Sequence, residues 1–386
     1  MKESVLRPVF ITGLGAFFPN APVENDMMEA VLGMAGGAPS RARRLVLARN
    51  GIKRRFYAID PQSRALTHSN ADMAAEAVRL ALTRADVPLH YVNCLACGTS
   101  SPDQLKPGHA HMVQGALAAP PMEVSSIAGV CTAGATALKY AYMAVAGGDA
   151  NVAVSTGSEL ASSFMRAENF DAEPDIETLE RRPVLAFEQD FLRWMLSDGA
   201  GAAVLRAVPA APPGLSLRID WVDCLSYAGE LPVCMYSGAH RDADGRLRGW
   251  REVPPGVASR DRYFTVKQDT RVLDRHIVEA AVTRPLAAIA ARRGLSARDV
   301  DWFLPHYSSE YFRPLLSKAL EAIGFPIPYE KWFSNMPQRG NVGSAMMYVM
   351  LEELLYAGAL HKGQRLLCLV PESARFATCY VHLTVV

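Results

Sequence analysis

The sequence predicts an α/β protein made of two similar halves, in which parallel sheets are covered by helices. An internal echo carries that reading. Residues 72–101 (DMAAEAVRLALTRADVPLHYVNCLACGTSS) run amphipathic helix, short linker, apolar strand and small polar end, and residues 280–309 repeat that order. Residues 129–159 then run turn, helix, Gly and strand, as do residues 340–373. Strands alternating with helices imply parallel strands whose crossovers cover the faces. Using the pattern twice implies two halves packed together. With 386 residues, half of them hydrophobic, the chain can bury a large core.

Each element follows in order. Residues 8–15 read as a first buried strand. The run SSIAGVCTAGATALKYAYMAVAGG, 125–148, reads as a strand end, a tight turn and an amphipathic helix. SDGAGAAVLRAV, 197–208, is a turn into a strand that closes the first half, and PAAPPG, 209–214, marks the join. The halves are therefore expected to span 1–208 and 209–386. From about 226 to 270 the chain turns polar, Gly-rich and charged (HRDADGRLRGWREVPPG), which reads as an insertion or cap over the second half.

Composition narrows the function. A net charge of +1 argues against a general nucleic-acid binder. No run of about 18 apolar residues occurs, so no membrane insertion is expected. The N-terminal MKESVLRPVFITGLG lacks a signal-peptide core, so the expected location is cytoplasmic. Seven cysteines, an odd number, suggest reduced thiols. Cys94 and Cys97 form a CxxC, but no second CxxC or CxxH pairs with it, so neither zinc nor redox chemistry is expected there. The HAH at 109–111 has no obvious carboxylate partner. No metal site is expected.

Three residues could do chemistry together. Cys131 sits at a helix start, where unpaired amides and the macrodipole favour thiolate and are expected to lower the thiol pKa. Its neighbours are small, so a substrate and a second helix can approach the sulfur. Alone, it reads more readily as a small buried hydrophobe, which lone cysteines usually are. The echo adds His306, at the end of a strand in DWFLPHYSSE, and Asn341, which opens the matching helix in RGNVGSAMM. If a pseudo-twofold axis relates the halves, both helix starts point to one centre, and the His306 strand end lies beside them. Sites gather at the carboxyl ends of parallel strands.

Cys131, His306 and Asn341, in that order and context, resemble the Cys, His and Asn of the thiolase-fold condensing enzymes, in particular the ketoacyl-acyl-carrier-protein synthase III group. DGAGAAVL, 198–205, and ITGLGAFFPN with Glu24 and Asn25 match family blocks, and the resemblance covers nearly the whole chain. It implies a thiolase fold, a duplicated five-layer αβαβα architecture, and a homodimer that uses no metal and no redox cofactor. Cys131 would attack an acyl thioester of acyl carrier protein or coenzyme A and hold the acyl group. His306 and Asn341 would donate hydrogen bonds to the thioester oxygen of the second substrate. The amides of Cys131 and, by position, Ser373 would form the other oxyanion hole.

The chain departs from the family in places. VPESARFATC, 370–379, stands where a GGGxTWG-type loop is usual, and brings Glu372 and Arg375 to that end. HYSSE replaces HQAN, and either Glu310 or Glu372 could serve as an extra base. The pieces 47–60, 128–162, 187–202 and PESARF look closest to the ketosynthase/cyclase of dialkylresorcinol biosynthesis. That resemblance implies joining a Cys-bound acyl group to a 3-oxoacyl thioester, with ring closure to a dialkylcyclohexane-1,3-dione. Alternatives are an acyltransferase of the same fold acting on oxygen or nitrogen, and a standard synthase that decarboxylates a malonyl thioester. A cysteine protease is disfavoured by the duplicated α/β pattern. The basic run 41–55, including Arg54 and Arg55, is expected to dock acyl carrier protein or coenzyme A phosphates. In the connection 99–115, Leu105, Lys106 and Met112 are expected at a dimer-crossing loop that closes the acyl pocket.

Overall fold

A computed structural model describes residues 6–41, 43–170, 192–242 and 244–386. Part of the 187–202 segment singled out above, residues 187–191, lies outside them, as does the start of the chain. The first half contains β1 (Phe10–Phe17), α1 (Asn70–Ala85), β2 (Cys94–Thr99), α2 (His109–Leu117), β3 (Glu123–Ala128), α3 (Thr132–Gly147), β4 (Val152–Glu159) and β5 (Gly199–Arg206). The second contains β6 (Leu217–Ser226), α4 (Thr270–Val278), α5 (Arg284–Arg293), β7 (Trp302–Pro305), α6 (Phe312–Ala322), α7 (Met346–Tyr356), β8 (Arg365–Glu372) and β9 (Ala377–Val385).

The echo in the sequence is an echo in space. One nine-stranded sheet runs β7-β8-β9-β6-β1-β5-β4-β2-β3. Outward from the centre, β1-β5-β4-β2-β3 is matched by β6-β9-β8-β7. The outermost place of the second half is held by a single parallel bridge, Phe303 to Trp332. Two pairs, Phe10 with Arg218 and Ile11 with Leu217, join the halves. The expected parallel sheets are in fact mixed: β2 runs parallel to β3 and β4, but β5 and β9 run antiparallel to both neighbours. In the second half the reason is local, because β8 turns into β9 over four residues, 373–376, and so short a turn permits only antiparallel pairing.

Burial explains the strand sequences. Every residue of β2 and β4 is buried, so these strands read as apolar and small runs without alternation. The helix α1 is fixed at its start by a capping box between Ser69 and Asp72. The helix α3 carries alanines at 133, 135, 137, 141 and 144 on its buried faces, which lets it lie close to its neighbours. Gly134 is the extreme case: a Cβ there would sit 2.1 Å from the Ser344 carbonyl oxygen, just ahead of α7. Tyr348 of α7 closes the contact by donating to the Gly134 carbonyl at 2.8 Å. The two helices related by the echo thus pack start against start.

Between β6 and α4 the chain leaves the sheet. It forms two short ribbons, Ala239–Arg241 with Leu247–Gly249 and Met235–Tyr236 with Lys267–Gln268. Among the described residues, no helix is long and apolar enough to cross a membrane.

Candidate active site

Cys131 is the residue on which α3 begins, and its own side chain makes no capping bond. The cap comes from elsewhere. Glu372, the last residue of β8, accepts hydrogen bonds through Oε2 from the Val130 amide at 3.1 Å and the Thr132 hydroxyl at 2.5 Å. A second carboxylate approaches from β4. Buried Glu159 accepts from the Ser100 amide (3.3 Å) and hydroxyl (2.5 Å), the Ser101 hydroxyl (2.7 Å) and the Ser344 amide (3.2 Å). Burial first, then the charges of Glu372 and Glu159, push the Cys131 thiol well above its usual range. This corrects the expectation that the helix start alone would make the thiol acidic. The helix field is present, but two anions and desolvation oppose it.

Asn341 is held by the backbone. Its amide donates to the Met195 carbonyl at 3.0 Å and its carbonyl accepts from Ser197 at 2.9 Å. Its Oδ1 accepts from the Gly343 amide at 3.0 Å, which fixes the carboxamide and leaves Nδ2 as the end available to a ligand. Gly340, at φ 73°, allows this turn, because a Cβ there would meet the Ser197 Cβ at 2.7 Å.

His306 follows β7 directly and is pinned by its amide, which donates to the Leu369 carbonyl at 2.7 Å. Its ring is buried, and Nδ1 has no partner among the described residues. Burial lowers its pKa to about 4, so the imidazole is neutral near pH 7 and can donate one N–H.

Two cavities meet at the cysteine. The larger, about 820 Å³, is lined by Cys131, Glu159, Asn341 and Ser373 at its polar end and by Leu66 and Leu105 among its apolar walls. The smaller, about 50 Å³, is lined by Cys131, His306 and Ser373 together with Leu273, Ile277 and Phe312. Cys131 and Ser373 belong to both, so Cys131 stands between the cavity lined by Asn341 and the one lined by His306. The excursion after β6 contributes Met235, Tyr236 and Gln268 to the large cavity.

Other expectations fare differently. Arg55 is not a docking residue: it is fully buried, and its guanidinium donates to Asn25 and, at 2.6 Å, to the Trp194 carbonyl. It is a strut inside the first half. Arg54 is exposed and paired with Glu24 at 2.6 Å. Lys106 is exposed and lines neither cavity, whereas Met112 packs against the core cluster beside α1. Glu310 lines neither cavity and accepts from the Tyr307 hydroxyl at 3.0 Å. Cys94 and Cys97 fall in separate core clusters on opposite faces of β2 and cannot share an ion.

Sequence reasoning missed Glu159 and Gln268. A glutamate closing a wholly buried strand, in VAVSTGSE, was the signal for the first. Gln268, whose Nε2 donates to Ser373 Oγ at 3.1 Å, stands in a polar stretch that gave none.

The chain is similar to known proteins along nearly its whole length. The family described as 3-oxoacyl-acyl-carrier-protein (ACP) synthase III C terminal matches residues 290–370. A beta-ketoacyl-acyl-carrier-protein synthase III of Hyphomonas neptunium is 25% identical over 361 residues, covering 94% of each chain. Among solved structures, the tetronic acid condensing enzyme AbyA1 superposes with a TM-score of 0.74 at 23% identity, covering 97% of this chain and 99% of that one. Xanthomonas campestris OleA, with bound lauric acid and lauroyl-CoA, gives 0.72 at 19% identity, covering 98% and 99%. Along nearly its whole length the chain is thus similar to ketoacyl-acyl-carrier-protein synthase III enzymes, and it shares the fold of the solved condensing enzymes.

Proposed function

We propose that this chain is a ketosynthase that loads an acyl group onto Cys131 and joins it to a 3-oxoacyl thioester, closing the ring to a dialkylcyclohexane-1,3-dione. The meeting of two cavities at Cys131, with Asn341 in one and His306 in the other, carries this reading. The Cys131 sulfur attacks the carbonyl of an acyl thioester carried by acyl carrier protein or coenzyme A. The carrier thiol leaves with the proton, and the acyl group stays on the enzyme. The amides of Cys131 and Ser373 receive the tetrahedral oxyanion.

The second thioester then binds with its carbonyl oxygen against His306 and Asn341 Nδ2. Both groups are neutral donors, suited to an oxygen that gains charge as the α-carbon loses its proton. The C2 carbanion adds to the β-carbon of a 2-enoyl group on Cys131, and its proton passes to the acyl α-carbon. C4 of the 3-oxoacyl chain then attacks the Cys131 thioester carbonyl. The ring closes as that C–S bond breaks, and Cys131 leaves as the thiol with the C4 proton. Water then cleaves the second thioester, releasing the carrier thiol, and loss of carbon dioxide leaves the dione. The mainly apolar walls of the larger cavity, and the lauroyl-CoA bound by OleA, support long acyl chains as substrates.

The likeness to relatives named beta-ketoacyl-acyl-carrier-protein synthase III suggests a second reading, a standard synthase in which a malonyl thioester loses carbon dioxide and no ring forms. One experiment tests both. Intact-protein mass spectrometry after incubation with a medium-chain 2-enoyl thioester should show one acyl group on the wild type and none on Cys131→Ala. Extraction after adding a 3-oxoacyl or a malonyl thioester should give the cyclic dione from the first. A linear 3-oxo product from malonyl alone would favour the second reading, and an ester or amide would mean acyl transfer without condensation.

A further inference from the structure

Cys224 of β6 and Cys379 of β9 stand directly opposite each other in the antiparallel ladder. Facing residues in such a ladder project from the same side, with Cα atoms about 4.5–5.5 Å apart. A disulfide spans Cα separations of about 4.4–6.8 Å, so no backbone movement is needed to join them. Their placement also gives an oxidant a way in, because Cys224 is partly exposed while Cys379 is buried behind it.

We infer that Cys224 and Cys379 form a redox-active dithiol, a modification site outside the acyl cavity, which two-electron oxidants of the peroxide class convert to an intramolecular disulfide. The Cys224 thiolate attacks one peroxide oxygen. The O–O bond breaks, the sulfur becomes a sulfenic acid, and hydroxide leaves. The Cys379 thiol then attacks that sulfur, the S–O bond breaks, the S–S bond forms, and water leaves. The two thiol protons end on the departing oxygens. Each sulfur gives up one electron, and hydrogen peroxide is reduced to two waters.

The surroundings divide labour among the thiols. The Cys379 neighbour and the charge of Lys139 hold the Cys224 thiol below its usual range. Cys131, by contrast, is held up by burial and by Glu372 and Glu159. The dithiol is therefore oxidised before the candidate nucleophile. The link would form where two chain segments leave the sheet for the cavity. Ser226, paired with Ala377, leads into the excursion, and the turn before Ala377 carries Ser373.

The test is to treat the folded protein with a small excess of hydrogen peroxide, remove the oxidant, trap free thiols with N-ethylmaleimide in denaturant and map peptides without reduction. The expected result is a linked pair of peptides holding Cys224 and Cys379, lost on adding dithiothreitol, with Cys131 still fully alkylated. Cys224→Ser, at a partly exposed position, should abolish the link, and a thermal melt matching wild type would show that the fold is kept. Oxidation of Cys131 at lower peroxide than the pair would overturn the inference. So would a stable Cys224 sulfinic acid with no linked peptide.

Discussion

The carboxylate of Glu372 reaches the hydroxyl of Thr132 at 2.5 Å, bracketing Cys131 between a fixed anion and the first turn of its own helix. Replacing Glu372 by Gln keeps an acceptor for Thr132 and removes the charge. The Cys131 thiol should then titrate lower, by on the order of one pH unit, with roughly tenfold faster alkylation below its pKa. The pH dependence of iodoacetamide labelling measures this. An unchanged profile would mean that burial and Glu159 hold the thiol up without Glu372.

His306 makes a pH-dependent contribution to stability. Its folded pKa of about 4 lies below the ordinary value of 6.5, so the unfolded chain binds the extra proton between those limits. The contribution is complete above about pH 6.5 and is lost as pH falls toward 4, by on the order of 3 kcal/mol. Asp198, raised to about 6 by burial, titrates in an overlapping window with the opposite sign. The readout is therefore a difference: His306→Gln should lose less stability than wild type between pH 6.5 and 4, measured by denaturant unfolding.

Gly134 leaves no room for a side chain against the Ser344 carbonyl. Gly134→Ala should push α3 from the turn before α7 and cost about 1–3 kcal/mol in denaturant unfolding. Acyl-enzyme formation should fall as well, because Cys131 and Asn341 sit at the two ends being separated.

Arg54 and Arg55 are neighbours with opposite fates. Arg54→Ala removes an exposed ion pair and should change stability by no more than about 1 kcal/mol. Arg55→Ala strands buried partners and should cost more, roughly 2–4 kcal/mol. Thermal melts of the two variants separate these outcomes. A raised KM for carrier thioester with unchanged stability in Arg55→Ala would restore the docking role.

The duplicated architecture and the cluster around Cys131 were legible because both rest on local pattern. Helix and strand periods recur in order, and a strand end or helix start fixes where Cys131, His306 and Asn341 sit. What escaped depends on partners remote in sequence. The two carboxylates beside Cys131 arrive from β4 and β8, and nothing around residue 131 announces them. Arg55 lies in a basic run whose composition suggests a solvated surface, yet Asn25 and Trp194 draw it inside. The antiparallel β9 was hidden because VPESARFATC was read as a loop, whereas most of it belongs to the strands on either side of a tight turn.

The start-against-start packing of α3 and α7 bears on how the protein comes apart. One core cluster runs from Val9 to Val385 and includes side chains of both helices and of strands from each repeat. A cut between the repeats would bare that seam on both pieces, so neither piece should hold native structure by itself. Amide protons along Gly134–Leu138 should then exchange only through global unfolding, at the slow limit of the whole chain. That exchange pattern would mean that substrates come and go through the cavity mouths, without a local opening of the helix pair.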